Sequence, residues 1–322
     1  MPARPLVSAV IPTRGRPQWI VRAVSSALAQ SYAPVEVIVV IDGPDEITEC
    51  AVREISAPRL RTISLRENVG GAEARNIGVR AASGEWIAFL DDDDEWFPEK
   101  LEKQMQAALS SGAEYPVVGS RLIAGGRVLP RRLYRRGQDV SEYLFCRKGL
   151  AYGDGMLQTS TLLAKRELLL EVPFQRGLKR HQDWDWLLKI AQRKDVEIVM
   201  LPDALTVMQI EGGEQSVSRS GDWRVSLEWA RANRERMTAK AYSFFIATEC
   251  VTRARKAGAG AAAFAELFRE CFMRGRPGLG QTILFFLFRV FPGEKRRTLR
   301  GPCYGRAEER FQHDELHRAF SG

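Results

Sequence analysis

The sequence predicts an α/β fold: a mostly parallel central sheet flanked by helices, followed by a helical C-terminal extension. Three observations predict it. Between Val7 and Leu90, apolar runs of strand length alternate with segments of helical spacing. The connections are short, and each of these strands stops at a polar turn. Beyond Asp222 the pattern changes to helices alone, so the chain divides into residues 1–221 and a basic extension, residues 222–322.

Val7 to Thr13 reads as a first buried strand, with Pro12 tolerated near its end. After the turn Thr13-Arg14-Gly15-Arg16-Pro17, residues Ile20, Val21, Val24, Ala27 and Leu28 recur at helical spacing. Val35 to Ile41 is apolar almost throughout, as a strand covered on both faces should be, and it ends at Asp42-Gly43-Pro44-Asp45. Leu60 to Leu65 is a third strand, followed by Asn68-Val69-Gly70-Gly71 and a helix over 72–82.

Trp86 to Leu90 is the fourth strand, and it stops abruptly at Asp91, Asp92, Asp93 and Asp94, with Glu95 behind them. Pro98 then opens a helix in which Leu101 and Met105 share a face. Two charges about 5 Å apart repel by roughly 3 kcal/mol at the effective dielectric of a protein surface. A divalent cation with oxygen ligands would relieve that repulsion. An acidic turn capping the next helix is the alternative, because Asp suits N-caps and first turns. In parallel sheets ligands bind beyond the carboxyl ends of the strands, at the topological switch point. Thr13, Asp42, Asn68 and Asp91 all fall at that edge.

Tyr115 to Ile123 reads as a strand paired through Gly125-Gly126 with Arg127 to Leu129. The basic segment Arg131 to Arg136 is either a solvated loop or a grip for an anionic acceptor. Thr159 to Ala164 has strand character. His181 to Ile190 starts a helix with Trp184, Leu187, Leu188 and Ala191 on its apolar side. Asp183 and Asp185 lie in its first turn, where a carboxylate faces the positive end of the helix dipole. Val196 to Leu201 is the last strand, and the polar, Gly-containing stretch from Glu211 to Arg219 is composed as a loop.

The extension reads as helices over Trp223–Arg236, Ala239–Lys256 and Ala261–Met273, then an apolar run, Gln281 to Phe291, stopped by Pro292. Lys295-Arg296-Arg297 follows. That run is far short of the roughly 20 residues a spanning helix needs. It either packs as a core helix or lies in a membrane interface pinned by its basic flank, and its four Phe favour membrane contact.

The composition, 45% hydrophobic and 27% charged over 322 residues, is that of a soluble globular protein. Five scattered cysteines with no Cys-x-x-Cys pair argue against a disulfide framework or a zinc site and fit a reducing cytosol. The N-terminus runs into the first strand without a signal-peptide apolar region. The expected location is therefore cytoplasmic, peripheral at the inner face of the membrane if the extension docks there. Residues 1–221 balance 29 Lys+Arg against 29 Asp+Glu, while residues 222–322 carry 19 against 11 and supply the whole net charge of +8. The extension thus has either an anionic partner or an Arg-rich solvated surface. A non-enzymatic nucleotide- or nucleic-acid-binding module is the competing class. No nucleic-acid partner is expected, because such surfaces interleave aromatic with basic residues and the run at 285–291 is broken only by Arg289.

Taken together, residues 5–220 resemble the family 2 glycosyltransferases, inverting enzymes of the GT-A fold, a Rossmann-like arrangement, that use nucleotide-sugar donors. The resemblance rests on five stretches: Val10 to Arg16, Val39 to Gly43, Glu67 to Gly78, Gly84 to Trp96 and His181 to Asp185. It implies a nucleotide-diphosphate sugar donor, UDP-linked by family habit, and a glycan or lipid-linked saccharide as acceptor. It implies that Asp42 accepts the N–H of the base, with Thr13 and Arg14 lining the same pocket, and that Arg75 serves the diphosphate. Asp91 and Asp93 match the metal motif for Mg²⁺ or Mn²⁺, with Asp93 the direct ligand, and Asp92 faces the ribose or sugar. Asp183 matches the general base, and Asp185 supports the helix start or orients the acceptor. The stretch from Gln215 to Ser218 resembles a loop that closes over the donor. Three departures stand out: Gly15 and Arg16 replace an aromatic that stacks on the base, Ile41 replaces an acid, and no His lies near Met208 to Glu211.

Overall fold

The structure, a computed structural model, describes residues 4–147, 154–209 and 222–290. The alternation read from the sequence is present: β1 (Val7–Thr13), α1 (Pro17–Leu28), β2 (Val35–Ile41), α2 (Glu46–Arg53), β3 (Leu60–Ser64), α3 (Gly71–Ala81) and β4 (Trp86–Phe89). Helix α2 is an addition to that reading. It is largely polar and its Ile47 is exposed, so apolar spacing does not reveal it; its start is fixed by the Asp45 side chain, which accepts from the Thr48 backbone N–H at 3.1 Å.

Next come β5 (Asp94–Trp96), α4 (Lys100–Ser110), β6 (Tyr115–Ala124), β7 (Arg127–Leu129), α5 (Val140–Phe145), β8 (Leu163–Lys165), α6 (Arg166–Glu171), α7 (Gln182–Ile190) and β9 (Val196–Met208). Three readings change here. The last of the four aspartates belongs to a short strand, because Asp94 pairs with Met208 at the far end of β9. Thr159–Thr161 is a 3-10 turn, and only Leu163–Lys165 pairs as a strand. Strand β9 does not stop at Leu201 but runs on past Pro202, at the cost of register shifts against β6 around Arg121.

Among the described residues the strands form one sheet in the order β3-β2-β1-β4-β8-β6-β9-β5, with β7 on β6. Pairs β2–β3, β1–β2, β1–β4 and β6–β9 are parallel. The short strand β8 runs antiparallel to both β4 and β6, so β6 and β9 point the same way as β1 to β4. The chain reverses its winding between β1 and β4, placing the switch point beside the aspartates that follow β4.

Period-2 alternation in the buried strands feeds two cores. Val10, Ile38, Val40, Ile87 and Phe89 face one side of the sheet. Ala9, Ile11, Val37, Val39 and Ala88 face the other, against Ile20 and Val24 of α1 and Leu101 and Met105 of α4. The first core extends without a break into α8 (Trp223–Ala232), α9 (Ala239–Phe245), α10 (Val251–Lys256), α11 (Ala261–Arg269) and α12 (Leu279–Val290). A π-turn, Ile246–Cys250, joins α9 to α10, and another continues α11 to Arg274. No described helix is long and apolar enough to cross a membrane.

Candidate active site

The carboxyl edge of the sheet collects side chains from six segments. Asp42, just past β2, is buried, and its carboxylate accepts from Asn68 Nδ2 at 2.9 Å and from the backbone N–H groups of Val69 at 2.7 Å and Gly70 at 3.0 Å. The N–H of Asp42 in turn donates to the Thr13 carbonyl at 2.9 Å. Asp42 therefore fixes the loop that starts α3. Gly70 can take its place there because it has no Cβ and sits at φ 85°. Gly78 lets the same helix lie against β1, since a Cβ on it would stand 2.3 Å from Val10 Cγ1.

Helix α3 thereby aims Arg75 at the aspartates. The Arg75 guanidinium contacts Asp91 and donates to Gln182 Oε1 at 2.8 Å, bridging the end of β4 to the start of α7. Asp92 is buried, accepting from Thr13 Oγ1 at 2.7 Å and from Arg16 at 2.9 Å. Burial pushes its carboxyl up to about 6, against the pull of Arg16 and Thr13. Asp93 accepts from the same Arg16 nitrogen at 2.7 Å, and its proton affinity is raised by burial and by the neighbouring Asp91. Asp94 is the deepest, held by Ser160 Oγ at 2.6 Å and Gln158 Nε2 at 3.2 Å; burial, then Asp91, raise it well above the usual carboxylate range. Gln158 Nε2 also reaches Asp91 at 3.0 Å.

Asp183 lies in the first turn of α7, half-buried, accepting from the Trp184 backbone N–H at 2.9 Å. Burial pushes its carboxyl up to about 6; Asp91 adds to the rise, while the Trp184 N–H and Arg75 oppose it. Asp91 and Arg75 are therefore close enough to act on it directly. The turn is unusual, because His181 before it adopts a left-handed conformation at φ 64°. Its ring stacks on Trp184 at 4.8 Å and meets Ser226 Oγ of α8 at 2.9 Å. Asp185 points away from the cluster, accepting from Trp229 Nε1 at 3.1 Å and Asn233 Nδ2 at 3.2 Å. It ties α7 to the extension.

Of the residues singled out in the sequence, Thr13, Asp42, Arg75, Asp91, Asp92, Asp93 and Asp183 share one edge through these contacts. Arg14 stays exposed, in the field of Asp45, and it is Arg16 that reaches the aspartates. Sequence reasoning put Asn68 at this edge but missed Arg16, Gln158, Ser160 and Gln182 as partners. The polar run from Gln158 to Thr161 directly before a strand was the available signal for two of them. The segment Gln215 to Ser218 lies outside the described residues. A cavity of about 690 Å³ opens at the opposite edge, where β6 and β9 begin, but charges of both signs line it and none of the site residues reaches it.

Residues 8–172, just over half of the chain, match the profile of glycosyl transferase family 2. The chain is a family 2 glycosyltransferase. Membership in that family sets aside the non-enzymatic binding module. Among similar proteins, this glycosyltransferase is 28% identical to the amylovoran biosynthesis glycosyltransferase AmsB of Erwinia amylovora, over 72% of this chain and 78% of that one. It is 34% identical to the Escherichia coli UDP-Glc:alpha-D-GlcNAc-diphosphoundecaprenol beta-1,3-glucosyltransferase WfgD, over 40% of this chain and 53% of that one. Its fold is that of GT-A enzymes. Staphylococcus aureus TarS in complex with UDP-GlcNAc superposes with a TM-score of 0.52 at 18% identity, over 88% of this chain and 79% of the other. The mannosyltransferase PcManGT of Pyrobaculum calidifontis, in complex with GDP-Man and Mn²⁺, gives 0.53 at 18% identity, over 94% and 77%.

Among the described residues no three acidic, His or Cys side chains stand together as a ready-made metal cage. Mg²⁺ and Mn²⁺ do not require one in this chemistry, because one or two carboxylates plus substrate phosphates suffice. Asp91 and Asp93, mutually repelling at a switch point, fit that donor set.

Proposed function

We propose that the chain performs inverting transfer of a sugar from a nucleoside-diphosphate donor, a UDP-sugar by preference, to a hydroxyl of a glycan or lipid-linked saccharide. The names of relatives, which include amylovoran and teichuronic acid biosynthesis, support a place for the reaction in bacterial polysaccharide synthesis. The observation that carries the reading is the line of contacts from Asp42 through α3 and Arg75 to Asp91 and the turn bearing Asp183. A diphosphate laid along that line meets cations at Arg75 and Arg16 and ends beside a carboxylate of raised proton affinity.

An ionised carboxylate offers about four lone-pair positions. Asp42 has given three of them to the 68–70 loop and keeps one for an N–H of the base, with Thr13 and Arg14 beside it. Asp92 faces the ribose or sugar. Asp93, with Asp91, would hold Mg²⁺ or Mn²⁺, which when bound offsets the charge developing on the departing nucleoside diphosphate. Asp183 accepts the proton of the acceptor hydroxyl. That oxygen attacks the anomeric carbon as the bond from this carbon to the diphosphate oxygen breaks on the opposite face, so the configuration inverts. The electron pair leaves with the nucleoside diphosphate.

A panel of nucleotide sugars, scored for Mn²⁺-dependent hydrolysis and thermal stabilisation, tests the donor class. Asp183→Asn should still be stabilised by the donor while losing at least about a hundredfold in transfer. Unchanged turnover would remove Asp183 from the mechanism.

A further inference from the structure

Helix α12 is apolar on two opposite faces, and only one of them is used. Gln281, Leu284, Phe285 and Phe288 fall on one side and are buried against the helical extension. Leu279, Ile283 and Phe286, spaced i, i+4 and i+7, form a stripe on the other side and are 79%, 48% and 47% exposed. Phe268 of α11, 42% exposed, lies 5.9 Å from Phe285 and stacks on Phe272 at 4.2 Å, adding an exposed ring on the helix packed beside α12. A soluble monomer seldom leaves such a contiguous face bare.

The rim is basic. Arg269 and Arg289 are exposed on these two helices and Arg274 and Arg276 on the connection between them, and the Arg269 and Arg276 side chains make no ion pair among the described residues. In the sequence, Lys295, Arg296, Arg297 and Arg300 follow α12 within ten residues, with one acid, Glu294, among them. A 12-residue helix is about 18 Å long, against a hydrocarbon core of about 30 Å. It can lie along an interface but cannot cross it.

We infer that this face of α11 and α12 docks on an anionic lipid bilayer, with Leu279, Ile283, Phe286 and Phe268 entering the headgroup–acyl boundary and the arginines on the phosphates. Apolar stripe and cationic rim together match the two chemistries such a surface offers, and neither a solvated helix nor a core helix needs both. Docking here involves none of the residues at the carboxyl edge of the sheet. Its failure would leave the sugar-transfer reading intact, and loss of transfer would leave the docking intact.

The test is sedimentation of the full chain with vesicles of phosphatidylcholine alone or mixed with phosphatidylglycerol. Binding to the mixed vesicles should exceed binding to neutral ones by at least tenfold and fall as salt rises. The double variant Ile283→Glu/Phe286→Glu should lose at least tenfold in vesicle binding while retaining wild-type hydrolysis of the donor, which reports that it is folded. Arg269→Glu/Arg276→Glu should lose the preference for anionic vesicles. The inference is overturned if neutral and anionic vesicles bind the wild type equally. Vesicle binding that survives the double variant overturns it too. It also fails if the wild type ignores vesicles and is a dimer that Ile283→Glu/Phe286→Glu converts to monomer, because a second copy then covers the face.

Discussion

Asp183 owes its chemistry to where its backbone is held. An aspartate in water is almost fully ionised at pH 6, whereas burial pushes this one up to about 6 and so brings a base into the range where it can both take and release a proton. The base must be ionised to act, so kcat/KM should fall roughly tenfold per pH unit below about pH 6 and level off above it. A pH–rate profile whose acid limb lies near pH 4 would show that the site does not tune this carboxyl. His181 sets the turn that presents Asp183, and its left-handed backbone is unfavourable for most residues. His181→Ala removes the stack on Trp184 and the contact with Ser226. It should lower kcat by about tenfold with the donor KM nearly unchanged, since one lost hydrogen bond to a positioned group costs about 1–1.5 kcal/mol. Steady-state kinetics with varied donor separate the two parameters.

At the scale of elements, the site depends on how closely α3 lies to β1. Gly78→Ala would place a methyl group 2.3 Å from Val10 Cγ1, so the helix must move. The expected cost is about 1–3 kcal/mol in chemical denaturation, with weaker donor binding because Arg75 moves along with the helix. Helix α4 holds a different surprise. Lys100, at its first turn, is fully buried, donating to Gln104 Oε1 at 2.5 Å and facing the Trp96 ring at 4.1 Å. Burial holds its amine well below the usual lysine range. The unfolded chain therefore binds a proton that the folded chain gives up, and wild-type stability should rise with pH toward 10. Lys100→Met should flatten that rise and raise the melting temperature at pH 7 more than at pH 10. Equal gains at both pH values would mean that the amine is charged in the fold.

At the scale of the molecule, the helices after Asp222 continue the core that covers one side of the sheet. Trp223, Leu227, Trp229 and Phe245 belong to the same buried cluster as Trp186 and Leu187 of α7. Polar contacts fasten them: Asp185 to Trp229 and Asn233, His181 to Ser226, and Tyr242 to Glu270 at 2.8 Å. Truncation at residue 221 should therefore expose the helix that carries Asp183 and abolish a cooperative thermal transition, measured by calorimetry. A truncated chain that melts sharply at the wild-type temperature would show that residues 1–221 fold on their own.

The sequence by itself determined the sheet-forming half and the edge that carries the chemistry. Buried strands must be apolar throughout, and strand-to-helix turns must be polar, so Thr13, Asp42, Asn68 and Asp91 fall at one edge whatever else the chain does. The sequence reading passed over α2, which buries only Thr48 and Val52, and gave no sign of the strand pairing that draws Asp94 away from its neighbours. Only tertiary structure decided which arginine of the first turn meets the aspartates, what lies under Lys100, and that Asp185 faces the extension while Asp183 faces the cluster. Those choices depend on side-chain direction and burial, and both are set by packing partners distant in the chain.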